Sequence, residues 1–417
     1  MKRRALLAAA LVSTAAGCGT DRKAGGGAAA QALDLWCWPG GLGTQTVAAA
    51  AVQFPGLTTK IVDGDYLKAL MPVLDGKQAP AIAGIKGEDA PTILPRADLF
   101  VDLNTLGAST LEVQYLDWKW QQGSTLDNQL IGFPIDIGPT AMFYRADLFE
   151  RAGLPGEPAD VARQIADWPA FLAAGTRLKA RNVKLIANAW ELFAVCCQQQ
   201  GKRFVDESNH YVGDSEPIRT AWNIAVEAIQ RGLTAGIAND DKRWTGLFDH
   251  GQVATDSGAA WHAADMIQAA PSTKGKWRVA NGAADGANIG GSFLGVPVDG
   301  GDHQTAFNVI KWLLSPENQA KMFAEAALFP SAPAAYKMPE LLAPDPFFGG
   351  QRTTEVFAES AARKRRSFQA PGDEELQRVF ADQLRALTAG SVTAAAAWKA
   401  AVANGRQKAQ SLGVLTQ

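Results

Sequence analysis

The residues of this chain that could do chemistry show none of the common catalytic patterns. None of the motifs G-x-S-x-G, Walker A or H-E-x-x-H occurs in the sequence, and these are the motifs that place nucleophiles, phosphates or catalytic zinc. Carboxylates are plentiful, but no pair is marked out for acid–base work. The histidines show no spacing typical of metal ligands: His210, His250, His262 and His303. We therefore expect no catalytic residue, no metal site and no cofactor.

Charge and composition exclude several further classes of protein. Lys and Arg total 40 against 42 Asp and Glu, a formal net charge of −2, which argues against a nucleic-acid partner. The basic run over 363–366 is typical of a solvated surface in such a chain. Apolar residues make up 47%, which suits a sizeable core and excludes wholesale disorder. After the first twenty residues, no apolar run approaches the roughly 18–20 residues of a membrane span.

The first 18 residues have the pattern of a secretory signal peptide, with a basic start, a short apolar stretch and small residues before Cys18. Residues 15–18 resemble a bacterial lipobox, so we predict that Cys18 is lipidated and becomes the mature N-terminus. The alternative is an ordinary signal peptide cut nearby. Arg3 and Arg4 leave the export route open between the general secretory and twin-arginine systems. Residues 19–31 are small, polar and Gly-rich, which predicts a flexible tether.

Three further cysteines remain: Cys37, Cys196 and Cys197. An odd number defines no disulfide framework. We expect all three to be buried, small apolar residues. A bridge from Cys37 to Cys196 or Cys197 is the alternative.

Strand and helix patterns alternate from residue 33 onwards. Strand patterns over 33–38, 58–62 and 81–85 are separated by helical patterns over 48–54 and 66–74. This alternation predicts an α/β fold with a parallel, helix-covered sheet. Because ligands bind beyond the carboxyl ends of such strands, the loops that follow Trp38 and Ile85 are candidate sites. Further strands are predicted at 133–136, 141–144 and 183–187, and further helices at 145–155, 165–180, 191–199, 216–232, 305–314, 317–327, 373–387 and 393–410.

Five phrases in the chain occur in a characteristic order. They are GFPIDIGPTAMFYRADLFERAGLP (132–155), GKRFVDES (201–208), LFDHGQVATDSGAAW (247–261), GGSFLGVP (290–297) and AFNVIKWLLSPENQAKM (306–322). Together they resemble the bacterial extracellular solute-binding proteins, the sugar-binding family that includes maltose-binding protein. Arg145 departs from the family pattern, which has Asn after the Tyr that stands here as Tyr144.

The resemblance implies a periplasmic-binding-protein-like fold: two α/β lobes with a ligand cleft and crossover hinge strands. Lobe one would take 33–136 and 296–343, and lobe two 139–293 and 346–417. The implied function is the substrate-binding component of an ABC importer, which binds a carbohydrate, with an oligosaccharide favoured, and performs no chemistry. The implied partners are the permease subunits and, through the lipid, the outer face of the cell membrane. We expect a secreted monomer that binds no nucleic acid.

The same resemblance, with the chemistry of sugars, selects the candidate ligand residues. Sugar C–H faces pack on aromatic rings, and hydroxyls pair with carboxylates and amides. Trp261 is the first candidate because it ends the phrase where the family places its stacking aromatic; the alternative is a core tryptophan. By strand alternation Trp36 and Trp38 share one side, and Trp38 is the nearer to the cleft. Trp118 and Trp120, also in alternation, are expected to pack within lobe one. The other candidates lie at predicted strand ends, at the crossover or in the last segment: Asp65, Glu88, Asp89, Asp136, Asn188, Trp190, Glu191 and Phe368.

Some readings stay open at this point. Glu88 and Asp89 are equally interpretable as a solvated charge pair, and Asp136 as a structural residue of the hinge. A non-sugar solute, such as a polyamine, a metal complex or a phosphate ester, is the first alternative ligand. A secreted glycoside-processing enzyme is the alternative of another class, and it would need two carboxylates roughly 5–9.5 Å apart across a bond.

Overall fold

The computed structural model describes residues 33–283 and 286–416. The predicted signal peptide, the tether and Cys18 lie outside these residues. The strands are β1 (Leu33–Cys37), β2 (Leu57–Ile61), β3 (Ile82–Ile85), β4 (Phe133–Pro134), β5 (Asp136–Ile137), β6 (Thr140–Arg145), β7 (Thr255–Ala259), β8 (Trp277–Ala280), β9 (Phe293–Gly295) and β10 (Phe329–Pro330).

Helices connect most of the strands and follow the last one. They are α1 (Thr44–Gln53), α2 (Tyr66–Asp75), α3 (Ala90–Ile93), α4 (Asp117–Gln122), α5 (Ala146–Arg151), α6 (Pro158–Gln164), α7 (Trp168–Lys179), α8 (Ala189–Gln198), α9 (Glu216–Gln230), α10 (Trp244–Asp249), α11 (His262–Ala269), α12 (His303–Leu313), α13 (Pro316–Ala326), α14 (Pro339–Leu342), α15 (Thr353–Arg363), α16 (Asp373–Thr388) and α17 (Ala394–Ser411). Short 3-10 turns lie between several of them.

The first sheet has the order β2-β1-β3-β9-β4. β1 pairs in parallel with β2 and β3, whereas β9 runs antiparallel to both β3 and β4. Every residue of β3 is buried, because the strand is covered on both faces, as central strands of helix-covered sheets are. The predicted parallel, helix-covered arrangement is therefore found here, with one returning antiparallel strand.

The second sheet differs from that expectation. Its order is β7-β6-β8, and both pairings are antiparallel. Residues 183–187, predicted as a strand, form an extended segment whose isolated parallel bridges join Lys184 to Val253 and Ile186 to Thr234. The prediction of a regular strand at 183–187 is therefore wrong. An apolar pattern does not determine whether the neighbouring segments pair over enough residues to form a regular strand.

Separate apolar cores lie on the two sheets. One cluster around Phe133, Leu294 and Ile310 packs against the first sheet, and a larger cluster around Tyr144, Phe193 and Phe380 packs on the side of the second. The chain passes from the first sheet to the second between β4 and β6, returns between β8 and β9, and goes back after β10, so that α15 packs on β6 and β8. The molecule therefore consists of two α/β lobes joined by crossing segments.

The structure corrects the prediction that Trp118 and Trp120 alternate along the chain and pack together within lobe one. Both side chains are buried, as expected, but they lie in α4 and not in a strand. Trp120 packs into the core of the first sheet. Trp118 packs with residues of the second sheet, and its Nε1 donates to the Ala361 carbonyl at 3.0 Å. Two tryptophans two residues apart point about 200° apart on a helix of 3.6 residues per turn, so a helix between the two lobes supplies one to each core.

Candidate functional site

A cavity of about 610 Å³ opens between the two lobes. One wall comes from the loop between β3 and α3, with contributions from α2 and α4: Leu67, Gly87, Glu88, Asp89, Pro91, Thr92 and Gln122. The other wall comes from the end of α8, the returning crossing segment and the start of α16: Gln198, Arg203, Asn288, Ile289, Gly290, Gln369, Ala370, Pro371, Gly372, Asp373, Glu374, Glu375 and Arg378. Its volume is in the range typical of small-molecule sites.

A second cavity of about 670 Å³ adjoins the first. The two cavities share Pro91, Gln122, Gln369 and Pro371. The second is more apolar, and its lining includes the ring of Phe368. Together the cavities form one elongated cleft, with a charged part and a part lined by rings, prolines and amides.

Glu88 and Asp89 occupy the predicted position beyond the carboxyl end of β3. Glu88 is exposed and Asp89 is half-buried. Although Asp89 immediately precedes α3, its side chain does not cap that helix. Burial raises the pKa of Asp89 to about 6, and repulsion from Glu88 adds to the rise, while Lys86 opposes it. The acceptor oxygens of this pair are available to a donor-rich ligand.

A buried arginine organises the opposite wall. The guanidinium of Arg203 donates to Glu374 Oε1 at 2.8 Å and to Gln377 Oε1 at 2.6 Å. Its Nε is buried and has no hydrogen-bond partner among the described residues. The carboxylate of Asp373 accepts from the backbone N–H groups of Phe204 at 3.0 Å and Ala370 at 2.9 Å. These bonds fix the start of α16 against the segment that contains Arg203.

Trp261 lies between β7 and α11 with 41% of its surface exposed. Its Nε1 donates to the Ile289 carbonyl at 3.3 Å, and Ile289 lines the first cavity. The ring is therefore at the edge of the cleft, held against the returning crossing segment. A large exposed tryptophan next to a cavity is available to pack on a ligand face.

His262, the next residue, is held by two carboxylates. Its Nε2 is 2.9 Å from Asp256 Oδ2 and its Nδ1 is 3.0 Å from Asp265 Oδ2. Burial alone would lower the pKa of His262, but the hydrogen bonds and charges of the two carboxylates outweigh it and raise the pKa to about 9. The imidazole ring packs edge-on to Trp261 with ring centroids 5.9 Å apart. Gly258 is required beneath it, because a Cβ there would come within 2.6 Å of the His262 ring.

The residues predicted after the 183–187 segment have different environments. Asn188 is buried and caps α8, accepting from the Glu191 backbone N–H at 2.9 Å. Trp190 is 6% exposed, and the Arg385 guanidinium lies 4.9 Å from its ring centre. Glu191 is solvent-exposed, yet desolvation by the surrounding protein and then repulsion from Asp256 raise its pKa. Of these three candidates, Glu191 alone presents its side chain to solvent.

The rings of Trp36 and Trp38 pack within the first lobe. Trp38 meets Tyr66 edge-on at 5.2 Å. Trp36 donates from Nε1 to Asp34 Oδ2 at 2.9 Å, and the Lys60 ammonium lies 3.4 Å from its ring centre. Neither ring lines either cleft cavity.

The remaining candidates are divided between cleft and scaffold. Phe368 lines the second cavity. Asp65 caps α2 by accepting from the Lys68 backbone N–H at 3.1 Å. Asp136 is 8% exposed and accepts from the Ser292 backbone N–H at 2.8 Å, which places it in the crossing segments rather than on a cavity wall. The structure thus brings Glu88, Asp89 and Phe368 to the cleft, with Trp261 at its edge.

Several cleft residues were not anticipated from the sequence. Gln122, Gln198 and Asn288 are amides in segments without a distinctive pattern. Arg203 lies inside the phrase GKRFVDES, where an isolated antiparallel bridge joins Val205 to Tyr211. Lys202 and Arg203 are adjacent in the sequence, so residue type did not indicate which of them is buried.

Residues 33–283 and 286–416 hold neither a side-chain cluster suited to a metal ion nor a helix suited to cross a membrane. No cluster of His, Cys, Asp or Glu has the geometry to hold a metal ion in this part of the chain. None of its helices combines the length and the apolar character needed to cross a membrane. Cys37, Cys196 and Cys197 are buried free thiols, which confirms the prediction and excludes the Cys37 bridge in this structure.

Known proteins resemble the chain over most of its length. The model of the family of bacterial extracellular solute-binding proteins matches residues 46–347. A lactose-binding protein of Rhizobium radiobacter is 25% identical over 383 residues, covering 85% of this chain and 86% of that protein. The crystal structure of an extracellular solute-binding protein of family 1 is 30% identical with a TM-score of 0.85, covering 90% of this chain and 99% of that one.

More distant structures share the fold. A Bifidobacterium longum protein in complex with lacto-N-biose, called the galacto-N-biose-/lacto-N-biose I-binding protein, has a TM-score of 0.74 at 17% identity, over 92% of this chain and 98% of that chain. The sugar-binding protein MalE of Xanthomonas citri has a TM-score of 0.75 at 16% identity, over 91% of this chain and 97% of that one. The two lobes, the crossing segments and the cleft are thus the common architecture of this group. The family match spans well over half of the chain, and the chain therefore belongs to the bacterial extracellular solute-binding proteins, a family of binding proteins and not of enzymes.

Proposed function

We propose that this chain binds a carbohydrate in the cleft between its lobes and delivers it to the permease of an ABC importer. The observation that carries the proposal is the cleft itself, with an exposed Trp261 at its edge and the free acceptors of Glu88 and Asp89 on its wall. Aromatic faces and hydrogen-bond acceptors are the two kinds of contact that a sugar requires. The names of the lactose-binding and lacto-N-biose-binding relatives support the same class of ligand.

The elongated cleft favours an oligosaccharide over a single sugar unit. Two adjoining cavities of about 610 and 670 Å³ share four lining residues, and the more apolar one offers Phe368 as a packing face. A ligand that extends through both would contact rings and prolines at one end and charged groups at the other. Trp261, at the edge of the charged cavity, would add a second aromatic contact.

Lobe closure would couple binding to transport. We assign lobe one to 33–136 plus the segment from Phe293 to about 343, since β9 belongs to the first sheet. Lobe two takes the intervening residues and those after about 346. A ligand that contacts both walls favours the closed arrangement by its differential affinity for that state, and the permease would recognise the closed form.

The chain would work as a monomer outside the cytoplasm. Lipidation at Cys18, with residues 19–31 as a tether, would hold the body at the outer face of the membrane. A single acyl chain gives marginal membrane binding, whereas several acyl chains anchor a protein durably. A tethered binding protein stays near its permease while its lobes remain free to move.

The charges of the cleft argue against anionic solutes such as phosphate esters. The carboxylates that line the first cavity outnumber its guanidinium groups: Glu88, Asp89, Asp373, Glu374 and Glu375 against Arg203 and Arg378. Arg203 is already bonded to Glu374 and Gln377. An anion entering this cavity would meet like charge and find few free donors.

Thermal-shift screening of residues 32–417 against a sugar library tests the proposal. The library includes lactose, β-1,6-galactobiose, lacto-N-biose and maltose, with inorganic phosphate and spermidine as non-sugar probes. A native-state ligand at 100 times its Kd stabilises the protein by about 2.7 kcal/mol, which shifts the melting temperature by several degrees. A shift with phosphate or spermidine and with none of the sugars contradicts a carbohydrate ligand.

Incubation of the same sugars with the protein separates binding from hydrolysis. A transport protein leaves every sugar intact, whereas a glycoside-processing enzyme releases products. Chromatography of the mixtures after prolonged incubation makes this comparison. Product formation that disappears in Glu88→Gln or Asp89→Asn would replace the transport proposal with the enzymatic one.

A further inference from the structure

A fully buried lysine lies where the chain crosses between the lobes. Lys119, in α4, has no exposed surface, and Asp136, in β5, is 8% exposed. The Lys119 ammonium lies 3.5 Å from the centre of the Phe293 ring and donates to Gln122 Oε1 at 3.2 Å. Burying a charge is costly unless it is paired or hydrogen-bonded, so this lysine is an unusual element in a region that must move.

Asp136 ties the two crossing segments together. Its Oδ1 accepts from the Ser292 backbone N–H at 2.8 Å, and the Ser292 carbonyl accepts from the Ile135 N–H at 2.9 Å. Gly291 lies over the pair with a positive φ of 82°, and a Cβ there would come within 3.0 Å of Lys119 Nζ. The outgoing and returning segments are therefore joined by Asp136, and the Lys119 ammonium lies beside Gly291 of the returning segment.

Burial favours the neutral forms of both Lys119 and Asp136, and their mutual attraction opposes this. Burial lowers the pKa of Lys119 to about 7, against the attraction of Asp136. Burial raises the pKa of Asp136, against the attraction of Lys119 and the Ser292 hydrogen bond. The other acidic group of α4, Asp117, is exposed and pairs with Arg366. The ionisation of Lys119 thus changes near neutral pH and depends chiefly on one partner.

A chain of hydrogen bonds leads from this pair to the ligand cleft. Gln122 accepts from Lys119 through Oε1 and donates through Nε2 to Gln369 Oε1 at 3.1 Å. Gln122 belongs to α4 on one side of the cleft and Gln369 to the segment before α16 on the other, and both line both cavities. A charged Lys119 orients the Gln122 amide so that it bridges the lobes, whereas a neutral amine holds it less strongly.

We propose that Lys119, buried near Asp136 where the chain crosses between the lobes, sets lobe closure and ligand affinity without contacting the ligand, by orienting the bridge from Gln122 to Gln369. The inference rests on the proposed function, since it assumes lobes that close on a solute. Lys119 is a positioning residue in this scheme. Loss of its charge as the pH rises releases Gln122 and weakens binding.

The test compares the protein with the double variant Lys119→Met/Asp136→Asn between pH 6.5 and 8.5. The double change removes both charges at once, and Asn keeps an oxygen that accepts from Ser292. Calorimetric titration uses the sugar that gives the largest thermal shift. We expect the affinity of the unaltered protein to fall at least about threefold over this range, and that of the double variant to stay constant. Lys399→Met, at an exposed lysine of α17, should follow the unaltered protein. An unchanged pH dependence in the double variant overturns the proposal.

A measurement on the unaltered protein covers the case in which the double variant does not fold. Suppose that the protein with a charged Lys119 binds the ligand threefold more tightly than the protein with a neutral Lys119. Thermodynamic linkage then requires that saturating ligand raise the pKa of Lys119 by about 0.5. Nuclear magnetic resonance of carbon-13-labelled lysine side chains, with and without the sugar, detects this. A Lys119 pKa unaffected by saturating ligand contradicts the inference.

If no sugar in the library binds, the proposed function fails, yet the hinge device is still testable. Small-angle scattering at pH 6.5 and 8.5 without ligand should then show a change in radius of gyration that the double variant lacks. A constant radius in the unaltered protein overturns the hinge device separately from the choice of ligand.

Discussion

Replacing Trp261 by alanine should weaken ligand binding far more than it weakens folding. Because 41% of the residue is exposed, roughly 100 Å² of a tryptophan's area of up to about 250 Å² is open to a ligand. Covering that area contributes at most about 2.5 kcal/mol at 25 cal/mol per Å². The expected loss of affinity is therefore about ten- to sixtyfold.

Trp277→Ala is the matched control, because Trp277 is fully buried in β8 and its Nε1 donates to Thr273 at 2.7 Å. Truncation there leaves a cavity and costs roughly 3–5 kcal/mol of stability. Melting curves without sugar and calorimetric titrations with it are recorded for both variants. Trp261→Phe keeps a ring but loses the hydrogen bond to Ile289, so it measures that bond separately. If Trp261→Ala binds sugar normally and melts as early as Trp277→Ala, Trp261 is a core residue and the site assignment is wrong.

Four further outcomes are expected. Cys18→Ala should release the protein from the membrane fraction with an unchanged melting temperature; retention on membranes would refute lipidation. Saturating sugar should reduce the radius of gyration in small-angle scattering, and an equal radius would argue against closure. Because the pKa of Asp89 is raised to about 6, and because the proposed site uses its ionised form to accept ligand hydroxyls, affinity should fall as the pH drops through 6, and Asp89→Asn should not show this fall. The pKa of His262 is raised to about 9 by Asp256 and Asp265, so its contribution to stability is complete below about pH 6.5 and is lost towards pH 9. The unfolding free energy of the protein relative to His262→Gln should therefore decrease by up to about 3 kcal/mol over that range, and a constant difference in denaturant titrations would contradict the role of the two carboxylates.

Ligands bind beyond the carboxyl ends of strands in helix-covered parallel sheets, and this rule predicted the part of the candidate site that follows β3. β3 is apolar throughout and buried at every residue, so the polar residues that follow it must leave the sheet at its edge. That requirement places Glu88 and Asp89 on the cleft wall. Trp261 was selected from the family resemblance instead, and the structure places it after β7, which ends at Ala259, where the chain turns into α11.

The opposite wall depends on contacts that local patterns do not contain. Arg203 and Glu374 are 171 positions apart in the sequence and meet at 2.8 Å. Gln122 and Gln369 are separated by 247 positions and meet at 3.1 Å. Charged and amide residues occur throughout the surface of any soluble protein, so their type gave no reason to select these four. Their role follows from how the segment before α16 returns to the cleft, which one sequence alone does not specify.

The tryptophans illustrate why residue type and strand-end position were insufficient by themselves. Trp190 and Trp261 both follow extended segments near the start of a helix, yet one is buried and the other is open. Asn188 caps α8 and also donates from Nδ2 to the Ile237 carbonyl at 3.0 Å, which fixes the first turn of the helix in the core and leaves Trp190 under Arg385. Trp261 is followed by His262, which is held between Asp256 of β7 and Asp265 of α11, while the tryptophan Nε1 donates to the Ile289 carbonyl at the edge of the cleft. The aromatic residue that is free to meet a ligand is therefore set by the hydrogen bonds of its neighbours, because these decide which side chain the core accepts.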